Sequence, residues 1–441
     1  MPARALVLLL IAGVLASCAA GTEPPSIKST APSVASLQVP SAGELLIDTL
    51  IRSMSTPELA GQMLMVSIEQ GENGPVTRLE ESERAFLRRI EPGGVILFSV
   101  NLQSVPQVHN LVLDLQESAS LPLMIATDHE GGLVSRLTAS DALGATVMPS
   151  ATLVGTAAEA LRAEGDTAGI APLAEQWGLI TGRELRALGI TLNLGPVADI
   201  DPPDGPGFLG TQRRTFGSDP ELVAELVAAT ITGLHGAGVA AAVKHFPGHG
   251  SAREDSHESI VALTETETSL HAANLVPFVA AIESGVDAVM SAHAAFPTVT
   301  HDMRPATLSP RLLTDLLRNE LGFTGVVMTD ALNMEAVAAL DSPATLALAA
   351  IEAGADVLLQ PQDPEAVHTA IVNAVDSGRI TRERLERSIR RILALKRSVG
   401  LLGPGVSWVN PNADTVLGSE EHRDYLVEVR RIARGEGRQQ Q

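Results

Sequence analysis

The sequence predicts an α/β fold, a single (β/α)8 barrel of the TIM type, because short apolar runs alternate with helical patterns. Eight runs follow residue 45, and most are continuous, as in parallel strands buried on both faces. Eight strand–helix alternations over about 350 residues fit a closed barrel. A doubly wound open sheet is the alternative, because pattern alone does not show closure. The runs are Gln62–Ile68, Gly94–Phe98, Leu123–Thr127, Thr191–Leu194, Val239–Val243, Ala288–Met290, Gly325–Thr329 and Asp356–Leu359.

Helical patterns lie between these runs. One helix is predicted to begin at Thr56-Pro57-Glu58, where a capping residue precedes a proline in the first turn. The helix Arg382–Leu395 has an arginine-rich face, which indicates an exposed surface. The other predicted helices are Glu175–Leu188, Glu221–Gly236, Glu267–Ser284, Pro310–Leu321 and Ser419–Ala433.

Composition and charge limit the classes of protein to which the chain can belong. Its 441 residues are 45% hydrophobic, which is enough for a large core and excludes global disorder. The formal net charge of −21 argues against nucleic acid and against an anionic membrane surface as partners. Aromatic residues make up only 2% of the chain, which argues against a module that binds ligands by ring stacking.

The first residues indicate export. Arg4 precedes the apolar run Ala5–Ala16, which is too short to span a bilayer as a mature helix. The sequence Leu15-Ala16-Ser17-Cys18 then resembles a bacterial lipoprotein signal, with Cys18 as the lipid-modified N-terminus. An ordinary cleavable signal peptide is the alternative. Because Cys18 is the only cysteine, the mature domain has no disulfide.

Four segments follow from these observations. They are a signal peptide (1–17), a tether (18–43), the barrel (44–402) and a C-terminal tail (403–441). The tether is rich in Ser, Pro, Thr and Ala and cannot bury a core. We therefore expect an exported protein that is lipid-anchored to a membrane through Cys18.

Polar side chains at the ends of the predicted strands indicate the site. In (β/α)8 barrels, active sites form at the carboxyl ends of the strands. We expect the following residues to surround one mouth: Asp128, Asn193, Asp199, Lys244, His245, His293 and Asp330. Asp330 follows a dry strand and is well placed to be a nucleophile, although an aspartate there can also cap the next helix.

The segment Lys244–His257, with the sequence KHFPGHGSAREDSH, concentrates ionisable groups in one loop. Asp255 and His257 lie two residues apart, so an extended loop directs both side chains the same way. A carboxylate beside an imidazole fixes its tautomer and raises its basicity, which suits His257 for proton transfer near neutral pH. A solvated loop histidine is the alternative.

A metal site is the competing interpretation of this loop, with His245, His249, Asp255 and His257 as ligands. Pro247 and Gly248 break the helix that would place His245 and His249 on one face. We therefore predict neither a metal nor another cofactor.

Two further motifs supply ligand-binding groups. Asp128-His129-Glu130-Gly131-Gly132 is a polar strand end whose glycines allow the backbone to approach a ligand. Arg136 follows it, and Arg213-Arg214-Thr215-Phe216-Gly217 is a basic turn after the fourth run. With Lys244, these residues provide the donors and acceptors that a hydroxyl-rich ligand requires.

Together the motifs resemble glycoside hydrolase family 3. KHFPGHG followed by DSH, with DHEGG upstream and TDAL downstream, occurs in the family's order over roughly residues 45–402. The single-barrel form with a histidine-containing loop is similar to the bacterial β-N-acetylglucosaminidases of the NagZ type. Leu133 departs from the pattern, since the family often has arginine after the paired glycines.

The resemblance implies a role for each matching residue. Asp330 would be the nucleophile, and His257, oriented by Asp255, the general acid/base on a loop that Gly248, Gly250 and Ser251 allow to move. Asp128 would bind hydroxyls of the non-reducing sugar. The rest of the sugar-binding shell would be Arg136, Arg214, Lys244 and His245, with His249 supporting the loop. Arg214 is preferred to Arg213 because Arg214-Thr215-Phe216-Gly217 fits the family pattern.

The implied activity is that of a retaining glycoside hydrolase that removes terminal β-linked N-acetylglucosamine from peptidoglycan fragments. Three alternatives remain: a phosphorylase, since a histidine acid/base tolerates an anionic acceptor, another β-hexosidase such as a β-glucosidase, and a non-catalytic sugar-binding lipoprotein. The sequence gives no oligomeric state.

Overall fold

Eight parallel strands form one sheet in the computed structural model, which describes residues 41–71, 73–256, 258–403 and 405–436. Every pairing within this sheet is parallel, for example Met65 with Gly94. The strands are β1 (Leu64–Ser67), β2 (Gly94–Ile96), β3 (Met124–Thr127), β4 (Leu192–Asn193), β5 (Ala240–Phe246), β6 (Ala288–Ser291), β7 (Val326–Thr329) and β8 (Leu358–Leu359).

The sheet closes into a barrel. Its order is β7-β6-β5-β4-β3-β2-β1-β8, and a parallel bridge joins Met328 of β7 to Val357 beside β8. The Thr329 N–H donates to the Val357 carbonyl at 3.0 Å, and the Leu359 N–H donates to Thr329 Oγ1 at 3.0 Å. The predicted (β/α)8 barrel is therefore confirmed, and the open sheet is wrong.

Six strands are shorter than the predicted runs, whereas β5 and β6 are longer. Gln62 belongs to a helix, and the first strand begins only at Leu64. β6 continues to Ser291, and β5 continues to Phe246 with all seven residues buried. Lys244 and His245 thus lie within a strand, where the barrel wall fixes their backbones.

The predicted helices are present, with shifted ends. Ser55 rather than Thr56 caps the helix Thr56–Gln62 through a capping box with Glu58. The helix predicted from Glu267 to Ser284 is divided into Glu267–Ser269, a π-helical turn Leu270–Asn274, and Val276–Glu283. The longer helices are Ala42–Ser53, Thr56–Gln62, Glu81–Ile90, Val105–Glu117, Ala151–Ala163, Ile170–Ala187, Pro220–Gly236, Val276–Glu283, the π-helix Arg311–Glu320, Pro343–Ala353, Pro364–Asp376, Arg382–Ser398 and Glu420–Ala433.

The helix Arg382–Ser398 lies across the N-terminal ends of the strands. Ser388 Oγ donates to Asp356 Oδ1 at 2.6 Å just before β8, and Lys396 Nζ donates to Gln62 Oε1 at 2.7 Å just before β1. Ser398 Oγ donates to Asp287 Oδ1 at 3.5 Å just before β6. This helix therefore covers the bottom of the barrel, opposite the expected mouth.

The C-terminal segment packs on the barrel. The helix Glu420–Ala433 buries Tyr425, Val429 and Ile432 in the main core. Buried Glu184 fastens this region, because it accepts from the Gly418 N–H at 2.9 Å and pairs with His422 Nδ1 at 2.9 Å. The described residues of the predicted tail, 403 and 405–436, thus belong to the folded body.

At the other terminus, the helix Ala42–Ser53 includes the last two residues of the predicted tether. Ser41 caps it in a capping box with Glu44. The signal peptide, Cys18 and most of the tether lie outside the described residues. Within the described ranges, no helix combines the length and the apolar character that crossing a membrane requires.

Candidate active site

The carboxyl ends of the strands surround a cavity of about 320 Å³. Asp128 follows β3, Lys244 and His245 lie near the carboxyl end of β5, and Asp330 follows β7. Six residues that we predicted to catalyse the reaction or bind the sugar line this cavity: Asp128, Arg136, Arg214, Lys244, His245 and Asp330. The structure also places there Glu69, Phe98, Glu130, Val134, Ala331, Asn333, Met334, Leu359 and Gln360.

A charged network forms one wall of the cavity. Lys244 Nζ contacts Asp128 Oδ1 and Glu130 Oε1, each at 2.7 Å. Arg214 binds Glu130 with two hydrogen bonds, from Nε to Oε2 at 2.8 Å and from Nη2 to Oε1 at 2.9 Å. Glu130 thus joins the lysine to the arginine and fixes their positions.

Arg136 lies at the open edge of this network. Its Nη2 is 3.7 Å from Asp128 Oδ2, and its guanidinium carbon lies 5.3 Å from the centroid of the Phe98 ring. The Asp128 and Arg136 side chains are 18% and 29% exposed, whereas that of Lys244 is 3% exposed. Asp128 and Arg136 therefore present polar atoms to a ligand, while the groups behind them hold Asp128 in place.

The opposite charges in the network stabilise one another's ionised states. Burial alone raises the pKa of Glu130, but Arg214 and Lys244 reverse this effect and hold it well below its ordinary value. Burial disfavours the charge of Lys244, but Asp128 and Glu130 raise its pKa above the ordinary value. The cavity wall therefore carries fixed charges near neutral pH.

A second polar group, Asp199 with His245 and His249, supports the end of β5. Asp199 Oδ2 accepts from the backbone N–H of His245 at 3.1 Å and lies 2.7 Å from its Nδ1. Asp199 Oδ1 accepts from the backbone N–H of His249 at 2.6 Å and lies 3.2 Å from its Nδ1. Buried Asp199 thereby orients His245, whose Nε2 points toward Asp330 at 3.9 Å from Oδ2.

Asp330 has the environment of an ionised nucleophile. Its Oδ1 accepts from the Ala331 N–H at 2.8 Å, and its side chain is 19% exposed. Burial raises the pKa of Asp330, but His245, His293, the Ala331 N–H and Lys244 together lower it to about 2. The next helix is capped at Met334, so Asp330 does not have the capping role that was its alternative.

The proton-transfer pair is only partly described. Asp255 is half-buried in the loop after β5, and its backbone carbonyl accepts from the Glu258 N–H at 3.2 Å. His257 lies outside the described residues. Its assignment as the acid/base remains a prediction.

The glycines of two motifs have different roles from those that we expected. Gly131 and Gly132 have φ values of +74° and +58°, and added Cβ atoms would lie 2.3 Å from the Pro149 carbonyl oxygen and 2.7 Å from Ser150 Cβ. They form a tight turn packed on protein, with Leu133 exposed beside them. A Cβ on Gly250 would lie 2.1 Å from the Ile200 carbonyl oxygen, so Gly250 serves packing rather than loop movement.

Four contributors to the site had no catalytic or sugar-binding role in the predictions. Glu130 and Asp199 hold the predicted residues in place, and Glu69 and Gln360 line the cavity from β1 and β8. Asp199 was visible in the sequence as a polar strand end, and Glu130 lies in a motif that we had singled out. Glu69 and Gln360 directly follow the predicted runs Gln62–Ile68 and Asp356–Leu359, but only barrel closure shows that β1 and β8 lie near Asp330.

Two groups of described residues have potential ligand atoms within 4.8 Å of one another. One is the buried set Asp199, His245 and His249, and the other is the exposed set Glu267, His271 and Glu320. In the buried set both carboxylate oxygens of Asp199 already contact the two imidazoles. This pairing accounts for the cluster through hydrogen bonds alone.

Comparison with known proteins identifies the relatives of this site. A β-hexosaminidase of Stenotrophomonas maltophilia (strain R551-3) is 36% identical over 349 residues, which cover 79% of this chain and 94% of the relative. The solved family 3 β-N-acetylglucosaminidase from Paenibacillus sp. str. FPU-7 is 37% identical, with a TM-score of 0.76, over 86% of this chain and 69% of that chain.

A second solved structure covers the single-barrel form. NagZ from Neisseria gonorrhoeae, in complex with N-trifluoroacetyl-D-glucosamine, is 28% identical with a TM-score of 0.66. The match covers 84% of this chain and 97% of that chain. The family model of the glycosyl hydrolase family 3 N-terminal domain matches residues 55–395, and the chain belongs to that family.

Proposed function

We propose that this protein is a retaining β-N-acetylglucosaminidase that releases terminal non-reducing β-linked N-acetylglucosamine. The observation that carries the proposal is the position of Asp330, ionised and partly exposed in a cavity lined by Asp128, Arg136 and Lys244. The relatives at 36–37% identity are named β-hexosaminidase and β-N-acetylglucosaminidase.

In this mechanism Asp330 attacks the anomeric carbon. A retaining glycosidase forms a covalent glycosyl-enzyme through an oxocarbenium-like transition state. The low pKa of about 2 keeps Asp330 anionic near neutral pH, so its charge stabilises the developing positive charge. The bond from the Ala331 N–H holds Oδ1 and leaves Oδ2 for attack.

The acid/base step is assigned to His257, with Asp255 as its orienting partner. His257 donates its proton to the leaving glycosidic oxygen, and in the second step it accepts a proton from the attacking water. Supporting this assignment are the Asp255–His257 spacing and the place of the loop directly after β5.

The charged wall holds the sugar. Asp128 accepts hydrogen bonds from sugar hydroxyls, and Arg136 donates to hydroxyl oxygens. Lys244 is only 3% exposed and contributes mainly by holding Asp128 in place. His245 lies between this wall and Asp330, where it contacts the reacting sugar. Arg214 contributes mainly by binding Glu130, since its side chain is only 9% exposed.

Location is part of the same proposal: the protein is exported and lipid-anchored through Cys18, and it acts on peptidoglycan fragments. The helix Ala42–Ser53 packs on the bottom helix Arg382–Ser398, where Arg390 Nη1 lies 2.6 Å from Asp48 Oδ1. The tether therefore joins the body at the end of the barrel opposite the mouth. Replacing Cys18 by Ala should move the protein from the membrane to the soluble fraction, and unchanged membrane association would refute the anchor.

A panel of nitrophenyl glycosides, assayed with and without inorganic phosphate, tests the activity. We expect turnover of the N-acetyl-β-glucosaminide that is independent of phosphate and absent in the Asp330→Ala variant. Turnover that requires phosphate would identify a phosphorylase, and preference for the β-glucoside would identify a glucosidase. If wild type and variant were equally inactive, the result would favour the alternative of a non-catalytic sugar-binding lipoprotein.

A further inference from the structure

The cavity contains polar side chains that the charged network does not use. Glu69 follows β1 and Gln360 follows β8, and both line the cavity together with Asp330. In the part of the chain that the structure describes, neither side chain has a hydrogen-bond or ion-pair partner. Asn333 lines the same cavity at its exposed rim. Glu69 and Gln360 are therefore free to bind a ligand.

Gln360 is held in an unusual conformation. Its φ of +44° lies in the left-handed region, which residues other than glycine rarely adopt. The residue is only 8% exposed, and its backbone N–H donates to the Met65 carbonyl at 2.8 Å. Strained backbone of this kind concentrates at ligand-binding positions, because surrounding structure maintains it there.

Gln360 is coupled to the loop of the nucleophile. The Leu359 N–H donates to Thr329 Oγ1 at 3.0 Å, and the Leu332 N–H donates to the Leu359 carbonyl at 2.9 Å. These two bonds join β8 to the residues on either side of Asp330. A sugar whose anomeric carbon faces Asp330 carries its 2-substituent on the adjacent ring carbon, so this substituent lies close to the residues that surround Asp330.

The chemistry on this side matches an acetamido group. Such a group has an N–H donor, a carbonyl acceptor and a methyl group. A carboxylate at Glu69 can accept from the N–H, the Gln360 amide can donate to the carbonyl, and the half-buried Phe98 and Met334 side chains offer apolar surface for the methyl. Phe98 also contacts Arg136 of the charged wall, with 5.3 Å from the guanidinium carbon to the ring centroid, whereas Met334 follows Asp330 in the loop after β7.

We propose that Glu69 and Gln360 bind the 2-acetamido group of the reacting sugar and determine the preference for N-acetylglucosamine over glucose. The inference rests on the proposed hydrolase function and names the residues that select its substrate. A buried acceptor or donor that loses its ligand partner disfavours the wrong substrate, which is how polar pockets discriminate between analogues.

The test compares nitrophenyl N-acetyl-β-glucosaminide with nitrophenyl β-glucoside in wild type, Gln360→Ala, Glu69→Ala and Glu69→Gln. We expect Gln360→Ala and Glu69→Ala each to lower kcat/KM on the N-acetylglucosaminide about 10- to 100-fold, and kcat/KM on the glucoside by less than about 3-fold. Glu69→Gln retains a carbonyl acceptor, so its loss should be smaller. If glucoside turnover is too slow, inhibition constants of N-acetylglucosamine and glucose give the same ratio.

The matched control is Gln362→Ala, an exposed glutamine two residues further on that lies outside this cavity. It should leave the ratio of the two kcat/KM values unchanged. Thermal melts of all variants, together with retained activity on the glucoside, separate recognition from misfolding. Equal losses on both substrates would overturn the acetamido assignment, whereas wild type inactive on the N-acetylglucosaminide would overturn the proposed function itself.

Discussion

The two ends of the barrel both bury clusters of charge, but the clusters differ in what surrounds them. At the mouth, Lys244, Glu130 and Asp128 form a network that faces a cavity. At the bottom, Asp356 is fully buried and binds Arg318, Arg384 and Arg391 together with Ser388. The bottom cluster fastens the helix Arg382–Ser398 to the start of β8.

The difference shows that burial of charge does not by itself identify a catalytic site. Both clusters include nearly inaccessible ion pairs, and both contain arginines whose pKa values are shifted. Burial and the neighbouring arginines lower the pKa of Arg318 to about 10, although Asp356 acts to raise it. Burial also acts to lower the pKa of Arg214 at the mouth, but Glu130 raises it above its ordinary value. What distinguishes the mouth is that exposed atoms of Asp128, Arg136 and Asp330 remain available to a ligand.

Removing the nucleophile should have the largest effect at the mouth. Asp330→Ala is expected to lower kcat about 10⁴-fold or more, because a covalent mechanism cannot proceed without it. The measurement is turnover of the nitrophenyl N-acetyl-β-glucosaminide. Asp315→Ala, an exposed aspartate on the helix Arg311–Glu320, is the control and should retain activity. Substantial turnover by Asp330→Ala would remove Asp330 from the mechanism.

Loss of the acid/base should be smaller and should depend on the leaving group. His257→Ala is expected to lower kcat about 10²- to 10⁴-fold on poor leaving groups, and less on good ones that need little protonation. Surface His271→Ala serves as the control. Because the pKa of Asp330 is about 2, a loss of activity as the pH falls from 7 to 5 would report a group other than the nucleophile. The same loss on good and poor leaving groups would count against His257.

At the bottom of the barrel, the replacement of one aspartate should lower stability and leave activity intact. Asp356→Asn removes the charge that three arginines share, so we expect the free energy of unfolding to fall by about 3–5 kcal/mol. Urea denaturation measures this loss. The value of kcat/KM should stay within about 3-fold of wild type. A large loss of kcat/KM in a folded variant would show that the two ends are coupled.

Lys396 should give the smallest effect, and one of opposite sign. It is fully buried with Gln62 as its hydrogen-bond acceptor, and burial lowers its pKa to about 7. Since the unfolded pKa is about 10.4, the folded state binds fewer protons between pH 7 and 10, so stability rises with pH across that window.

Replacing Lys396 by Met, which fills a similar volume, should therefore raise the free energy of unfolding by about 1–4 kcal/mol at pH 6. The gain should shrink as the pH rises from 7 toward 10. Denaturation curves at several pH values measure it, with exposed Arg397→Met as the control. A gain that did not change with pH would mean that Lys396 is not the titrating group.

The barrel could be predicted because its strands are continuous apolar runs that require burial on both faces. The ends of the predicted runs did not match the ends of the strands, as Gln62 shows. This residue is polar and belongs to a helix, and its side-chain amide donates hydrogen bonds to the Glu91 and Pro92 carbonyls. The helix predicted over 267–284 is divided near Leu270 because local pattern does not specify the π-helical turn found there.

The site could be predicted wherever a polar residue directly follows a dry strand, as at Asp128 and Asp330. Arg214 was placed in the cavity, but its bidentate pairing with Glu130 depends on a contact between residues 84 positions apart. Glu69 and Gln360 also directly follow predicted runs, but we did not assign them to the site. Their position near Asp330 results from closure between β7 and β8, which no local pattern encodes.

The sequence by itself determined the succession of strands and helices and the ionisable groups that end the strands, because burial and local capping depend on residue type and spacing. Only the tertiary structure decided which of those groups neutralise one another and which remain open to a ligand. Closure of the barrel sets the distances between groups that are far apart in the chain. Those distances keep Asp330 ionised, and within the described residues they leave the side chains of Glu69 and Gln360 available to a ligand.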